Sequence, residues 1–318
     1  MRILNSIKKE LQYGCYSKAF AIVSAIFILF VCFNLFSNLN QLKQNLYVFN
    51  ISVRNAQEDG EDINALIEQS FTTKEENIGG AVGTVIENPI AYDYHNVANS
   101  LYIVSNEYLP SQIIELYSFI VSSVLCSVLG LYMMMYDKSN KTLKIKVIRT
   151  PIKNIIISKF AAGFIAITII SLSTFLISFI FGVVARESVF SSIDLSMFSN
   201  LTFQNDANIF AQIICSLLLS YIFYIIGFFL GTIFNGIWIP LLIIFSYNLF
   251  IPNLGVYDLK NLVSRIAYVY FDFDGSISLI KPLDIAPGLA ATILLVISAV
   301  LMFASYFIFK KKSKYITK

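Results

Sequence analysis

Six stretches of this 318-residue chain, 19–36, 116–135, 160–184, 209–234, 237–252 and 289–309, contain no Asp, Glu, Lys or Arg. A helix needs about 20 apolar residues to cross the hydrocarbon layer of a bilayer. Five of the stretches reach or approach that length. The fifth in order, 237–252, is short and holds Pro240, which a membrane helix tolerates where neighbours satisfy the freed carbonyl. Only 14% of the residues are charged, against about 25% in a soluble domain. A bigger core cannot absorb that deficit, because single cores stop growing near 250–300 residues. The expected fold class is therefore all-α: a polytopic membrane protein with six transmembrane helices at these stretches.

The placement of Lys and Arg sets the orientation. The tail 1–18 carries four, the segment 136–159 seven and the tail 310–318 five, which is 16 of the 23 in the chain. Both termini and 136–159 are thus expected on the cytoplasmic side of a cell membrane. Abundant Ile, Phe, Asn and Lys point to a bacterial source. The basic start and the run 19–36 also fit a signal peptide loosely. Ser37-Asn38-Leu39-Asn40 offers no small-x-small cleavage site, so a retained first membrane helix is expected.

Three segments fall on the outer side. The largest, 37–115, is an acidic loop with eleven acidic and three basic residues. Within it 41–55 and 63–70 read as helical, and Asp59-Gly60, Gly79-Gly80 and Asn88-Pro89 mark turns. It holds too little apolar material for a core of its own, so the flanking helices are expected to extend and carry a small cap. The loop 185–208 is short and polar. The segment 253–288 is expected to be re-entrant, with Tyr257, Tyr268, Tyr270 and Phe271 forming an interfacial aromatic belt.

Much chemistry is missing. There is no GxxxxGK[ST] phosphate loop and no HExxH, and the single histidine is His95. Asp272-Phe273-Asp274-Gly275 lacks the later bidentate Glu of a calcium loop. The four cysteines, Cys15, Cys32, Cys126 and Cys215, form no CxxC pair. No acid lies in the middle of the six stretches, which argues against an ion-coupled carrier. Neither a catalytic residue, a metal nor a cofactor is expected on this chain, and no nucleic-acid partner.

The segment after the second stretch is the informative one. It reads Asp137-Lys138-Ser139-Asn140-Lys141-Thr142-Leu143-Lys144-Ile145-Lys146-Val147-Ile148-Arg149-Thr150-Pro151-Ile152-Lys153 and runs on to Lys159-Phe160. Leu143 and Val147 lie one helical turn apart, so a short helix with an apolar edge and a basic edge suits a membrane surface. Pro151 ends it and starts the next helix. For any single lysine, attraction to anionic lipid is sufficient explanation, at about 1 kcal/mol each.

Taken together, Asp137, Thr142-Leu143, Pro151-Ile152 and Lys159 resemble, in order and spacing, the permeases of the type-2 branch of ATP-binding-cassette exporters. That family more often has Glu at the first position and Gly before the Thr, where this chain has Asp137 and Lys141. Ile7-Lys8-Lys9-Glu10-Leu11 looks like the family's amphipathic interfacial helix, and Gly231–Gly236 like its short inner turn. The resemblance implies a coupling helix that seats on a separate ATPase subunit, with ATP and Mg on that partner. It implies ATPase-coupling roles for Asp137, Lys141, Thr142, Leu143, Lys144, Val147, Ile148, Arg149 and Pro151. On this expectation Leu143, Val147 and Ile148 fill the ATPase groove while Lys144, Lys146 and Arg149 steer it. A second permease copy or paralogue completes the pathway.

The uncharged polar residues Ser122, Ser123, Ser127, Ser171, Ser173, Thr174, Ser178, Gln212, Ser216, Ser220 and Asn248 either line a route for an amphipathic cargo (an antimicrobial peptide, drug or lipid) or let helices pack closely. The alternative is a non-transporting sensor or scaffold whose outer loop binds a ligand or partner.

Overall fold

The computed structural model describes residues 2–78, 81–273, 279 and 281–316. Gly79-Gly80, Asp274-Gly275 and most of 277–280 lie outside them. In chain order the elements are α1 (Arg2–Tyr16), α2 (Ala19–Glu58), α3 (Ile63–Glu68), β1 (Thr73–Ile78), β2 (Ala81–Ile86), α4 (Pro89–Ile103), α5 (Leu109–Leu116), α6 (Ser122–Ser139), α7 (Leu143–Arg149), α8 (Ile152–Phe190), α9 (Ile209–Ile233), α10 (Trp238–Leu249), α11 (Leu259–Tyr270) and α12 (Pro287–Ile316). The fold is helical except for the antiparallel hairpin β1–β2, which pairs Thr73 with Ile86 and Ile78 with Ala81.

Local signals set many of these ends. α2 holds neither Gly nor Pro over its 40 residues and stops just before Gly60, whose φ of +77° suits a residue without Cβ. Asn88 caps α4, its side-chain oxygen accepting from the Ala91 amide at 3.1 Å, with Pro89 in the first turn. Asn208 caps α9 in the same way through Ala211, also at 3.1 Å.

Among the described residues, four helices are long and apolar enough to cross a membrane: α2, α8, α9 and α12. Leu109–Phe119 and Ser122–Ser139 together pass the same test as one span bent by 51°. The bend falls at a π-helical turn, Tyr117–Val121, where the i→i−4 ladder is broken. The expected crossing at 237–252 is not met by a full-length helix. Its helix α10 has 12 residues, about 18 Å at the helical rise, against about 30 Å of hydrocarbon.

The chain divides into two compact units. The first comprises 1–31, 111–178 and 207–318. Its most extensive helix pair is α6 with α9. These run parallel: Ser118 Oγ donates to Ser216 Oγ at 2.7 Å, Ser127 Oγ to the Phe223 carbonyl at 3.1 Å, and Lys138 Nζ to the Gly231 carbonyl at 2.7 Å. Small residues permit the approach. A Cβ on Gly227 would stand 1.7 Å from the Ser127 carbonyl oxygen, and one on Gly130 would stand 2.1 Å from that of Tyr224. α8 runs antiparallel to α9, with Phe160 against Phe228 (ring centroids 4.2 Å) and Thr168 Oγ1 2.6 Å from Tyr221 Oη.

α12 is parallel to α9. Near their starts Ala211 and Ile214 share a groove with Ala291 and Leu294. At their ends Lys312 Nζ donates to the carbonyls of Thr232 and Ile233. Residues 234–286 must therefore carry the chain from the end of one helix back to the start level of the other. α10 packs on α6 through Leu131, Met135 and Ile244. Beyond it, Lys260 Nζ donates to the carbonyls of Asn248 and Ile251 at the end of α10, and Asp258 caps α11. Three backbone atoms from two segments lie against the Asn261 amide: Nδ2 donates to the Val256 carbonyl (2.8 Å) and weakly to that of Leu283 (3.4 Å), and Oδ1 accepts from the Leu283 amide (2.7 Å). Of the expected aromatic belt, Tyr257 is exposed, but Phe271 is buried and meets Phe119 edge-on at 5.0 Å.

The second unit comprises 32–110 and 179–206, and in it 37–115 packs together with residues of 179–206. Leu42, Leu46, Phe49 and Val53 of α2, Val97 and Leu101 of α4, Val189 of α8 and Phe198 form one buried cluster. The apolar residues come from two segments far apart in sequence. Phe49 sits at the middle, packed edge-on to Phe198 at 5.3 Å and tilted to Tyr94 at 6.0 Å. Phe49→Ala is expected to cost about 3–5 kcal/mol. Hydrogen exchange should show faster exchange confined to the 32–110 and 179–206 amides; uniform protection there would contradict this core.

Candidate functional site

Four charged side chains, one from each of four helices, meet inside the first unit: Glu10 (α1), Asp137 (α6), Lys146 (α7) and Lys159 (α8). Each lysine bridges both carboxylates. Lys146 Nζ lies 2.8 Å from Glu10 and 2.7 Å from Asp137. Lys159 Nζ lies 3.1 Å from Glu10 and 2.8 Å from Asp137. The Asp137 and Lys159 side chains are each only 1% exposed and Lys146, at 20%, is the most exposed member.

Further bonds hold the square in place. Lys159 Nζ also donates to the Met133 carbonyl at 2.7 Å, and Tyr224 Oη of α9 donates to the Lys159 carbonyl at 2.9 Å. Thr142 Oγ1 donates to Asp137 at 3.1 Å. The Lys146 ammonium stands 4.7 Å above the Tyr13 ring, a cation–π contact. Burial alone would lower the Lys146 pKa. The Glu10 and Asp137 carboxylates outweigh it and raise that pKa above the ordinary lysine value.

Taking two such charges out of water costs several kcal/mol per ion, so a network of this kind adds little net stability. Removing one member is another matter, because the others stay buried and uncompensated. The network thus acts chiefly on register: it fixes where α1, α7 and α8 stand on the end of α6.

α7 is the short helix within this frame. Asn140 ends α6, and Lys141 takes the left-handed conformation at φ +55°, a backbone position that favours glycine. Thr150 is extended before Pro151, as the residue ahead of a proline tends to be. The Pro151 carbonyl accepts the first amide bonds of α8, from Asn154 and Ile155.

The helical phase of α7 sorts the expected coupling residues into two faces. Leu143 is buried, Val147 is half-buried and Lys146 belongs to the ion square. The other face leaves Lys144, Ile145, Ile148 and Arg149 uncovered, with Ile145 54% and Ile148 76% exposed. Two expectations change. Leu143 is packed against its own chain, so it is not an outward contact, and Lys146 is ion-paired inward, so it is not a steering charge. Ile145 takes the outward apolar role. Lys141 is exposed, Thr142 half-buried and Pro151 exposed.

Sequence reasoning noted Glu10 only as part of an amphipathic helix. The available signal was its position. With Ile7 and Gly14 it falls on the less exposed stripe of α1, where an acid needs a buried partner.

Some polar residues of the apolar helices bond between helices, while others, such as Ser122, Ser173 and Asn248, bond back to their own helix. Tyr117 Oη lies 2.5 Å from Ser171 Oγ, and Gln212 Nε2 donates to Ser111 Oγ at 2.8 Å and to the Tyr270 carbonyl at 2.9 Å. Glu115 also corrects an expectation. It is buried within the bent span, where the sequence boundary at 116 had left it in a loop. Ser111 Oγ reaches its carboxylate at 3.5 Å.

Comparison with known proteins yields no family model, no curated protein and no solved structure that matches this chain.

Proposed function

We propose that this chain is the membrane-spanning permease subunit of an ATP-driven exporter of the type-2 ATP-binding-cassette kind. One observation carries the reading. A short helix between two long apolar ones is tied by ion pairs to α1 and α6, whose carboxylates also hold Lys159 of α8, while its far face leaves Ile145 and Ile148 uncovered between Lys144 and Arg149. An isolated apolar pair ringed by cations suits a partner with a small hydrophobic groove and an acidic rim, with the charges assisting encounter.

The ion square makes α7 a rigid lever. A push on Ile145 and Ile148 passes through Lys146 to α1, α6 and α8 together, and the bundle changes packing as a body. ATP and Mg reside on the partner, and the permease supplies no bond chemistry. A second permease, identical or paralogous, completes the pathway in this reading, and the cargo is amphipathic or hydrophobic.

Six crossings with both ends cytoplasmic are supported by two facts. Sixteen of the 23 basic residues fall in 1–18, 136–159 and 310–318. The parallel course of α9 and α12 also requires a return through 234–286, for which α10 and the stretch after it supply the path.

Ile145→Asp with Ile148→Asp is expected to abolish co-purification of a nucleotide-hydrolysing subunit and cargo-stimulated hydrolysis, with thermal stability unchanged. Leu143→Asp, by contrast, should lower stability first. Undiminished co-purification by the Ile145/Ile148 pair would remove the lever. The sensor or scaffold reading has its own support in the second unit, whose core is large enough to hold a shaped surface. It predicts ligand or partner binding by that unit with no nucleotide dependence.

A further inference from the structure

Where α6, α9 and α12 end, the first unit holds a cavity of about 640 Å³ with lysines at 138, 141, 144 and 312 in its wall and Leu143 and Phe309 as its apolar floor. Among the described residues no carboxylate lines it and none of the four lysines is ion-paired. Lys138 and Lys312 are held in place. Lys138 Nζ donates to the carbonyls of Gly231 (2.7 Å) and Phe234 (3.1 Å), and Lys312 Nζ to those of Thr232 and Ile233. Two ammonium groups thus share one helix terminus. The partial negative charge there is equivalent to about half a unit, too little to balance two. Lys141 and Lys144 are exposed at the mouth.

The position matters as much as the charge. The cavity lies where charge-free helices give way to lysines, which is where a bilayer's hydrocarbon meets its headgroups. Its Leu143 and Phe309 floor suits glycerol and the first acyl carbons, and its lysines suit a phosphate. We propose that this cavity binds the phosphate headgroup of an anionic phospholipid. The site stands apart from the exporter reading, since it needs neither an ATPase nor cargo. Occupancy would place a lipid against Leu143, on the buried side of α7, and so make the seating of that helix depend on the lipid around it.

The test uses the purified full-length chain in neutral detergent, with short-chain phosphatidylglycerol, phosphatidylcholine and inorganic phosphate as probes. Bound lipid is read by native mass spectrometry and by the shift in melting temperature. Phosphatidylglycerol should bind and stabilise, while the other two should not. Lys141→Gln with Lys144→Gln should weaken phosphatidylglycerol binding about 30-fold, from the usual contribution of two juxtamembrane lysines. Lys141→Arg with Lys144→Arg should keep it, and so should Lys153→Gln outside the cavity. Equal binding of phosphatidylcholine, equal affinity for inorganic phosphate, loss of binding in the arginine pair, or the same loss in Lys153→Gln would each overturn the assignment.

Discussion

Lys159→Met should destabilise the folded protein by about 3–5 kcal/mol, the usual consequence of stripping one partner from a buried charge pair. The ammonium it removes contacts Glu10, Asp137 and the Met133 carbonyl at once. The remaining square holds two carboxylates against Lys146 alone, so one negative charge is left uncompensated at a largely buried site. Restoring the balance should restore much of the loss. Asp137→Asn combined with Lys159→Met leaves Glu10 opposite Lys146, an intact pair at 2.8 Å. The double variant should therefore be more stable than Lys159→Met alone. A double-mutant cycle on detergent-solubilised protein, followed by thermal unfolding, measures this directly. If the two single effects simply add, the four charges do not act as a unit and α7 is not locked to α8 in the manner described.

Gly227→Ala is the second large effect. The new Cβ would stand 1.7 Å from the Ser127 carbonyl oxygen and 2.7 Å from its Cα. Both are backbone atoms of α6, so no side chain can swing aside. The helices must part, and with them the bonds from Ser127 to Phe223 and from Ser118 to Ser216. Ordinary overpacking costs about 1–3 kcal/mol. A clash with backbone along the most extensive helix pair should exceed that range and leave little monodisperse protein on size exclusion. Gly236→Ala makes the control, because a Cβ there meets nothing within 4 Å and the elution profile should be unchanged. A normal melting temperature for Gly227→Ala would mean that α6 and α9 do not approach as closely as described.

The two variants probe different levels of legibility. The Gly227 contact follows from a rule visible in the chain: small residues in charge-free helices mark close approach. The partner helix is not visible, because nothing in the spacing of Gly227 names Ser127. The ion square was harder still. Lys159 and Glu10 lie 149 positions apart, and each has a bland local explanation in a basic juxtamembrane segment or an amphipathic helix.

α7 shows most clearly where sequence runs out. Leu143-Lys144-Ile145-Lys146-Val147-Ile148-Arg149 nearly alternates apolar and basic residues. Wound at 3.6 residues per turn, it gives two faces that each carry both kinds: 143, 146 and 147 on one, 144, 145, 148 and 149 on the other. Periodicity alone cannot say which turns inward. The deciding factor is Asp137 and Glu10, which give a lysine a partner on one side only. Leu143 is carried inward with Lys146, and Ile145 and Ile148 are carried outward.

The sequence by itself determined that several helices here must face lipid, since its charge-free stretches leave no other solvent for them. It also determined that 136–159 is a basic turn with a short helix ended at Pro151. These are local properties, read from length, charge and the position of a proline. Only the tertiary structure decided that 32–110 and 179–206 pool their apolar residues into one core, that α10 is too short to cross as a helix alone, and which face of α7 is left bare. Each of those depends on what a distant segment brings into contact, and burial free energy is shared among partners that no local pattern identifies.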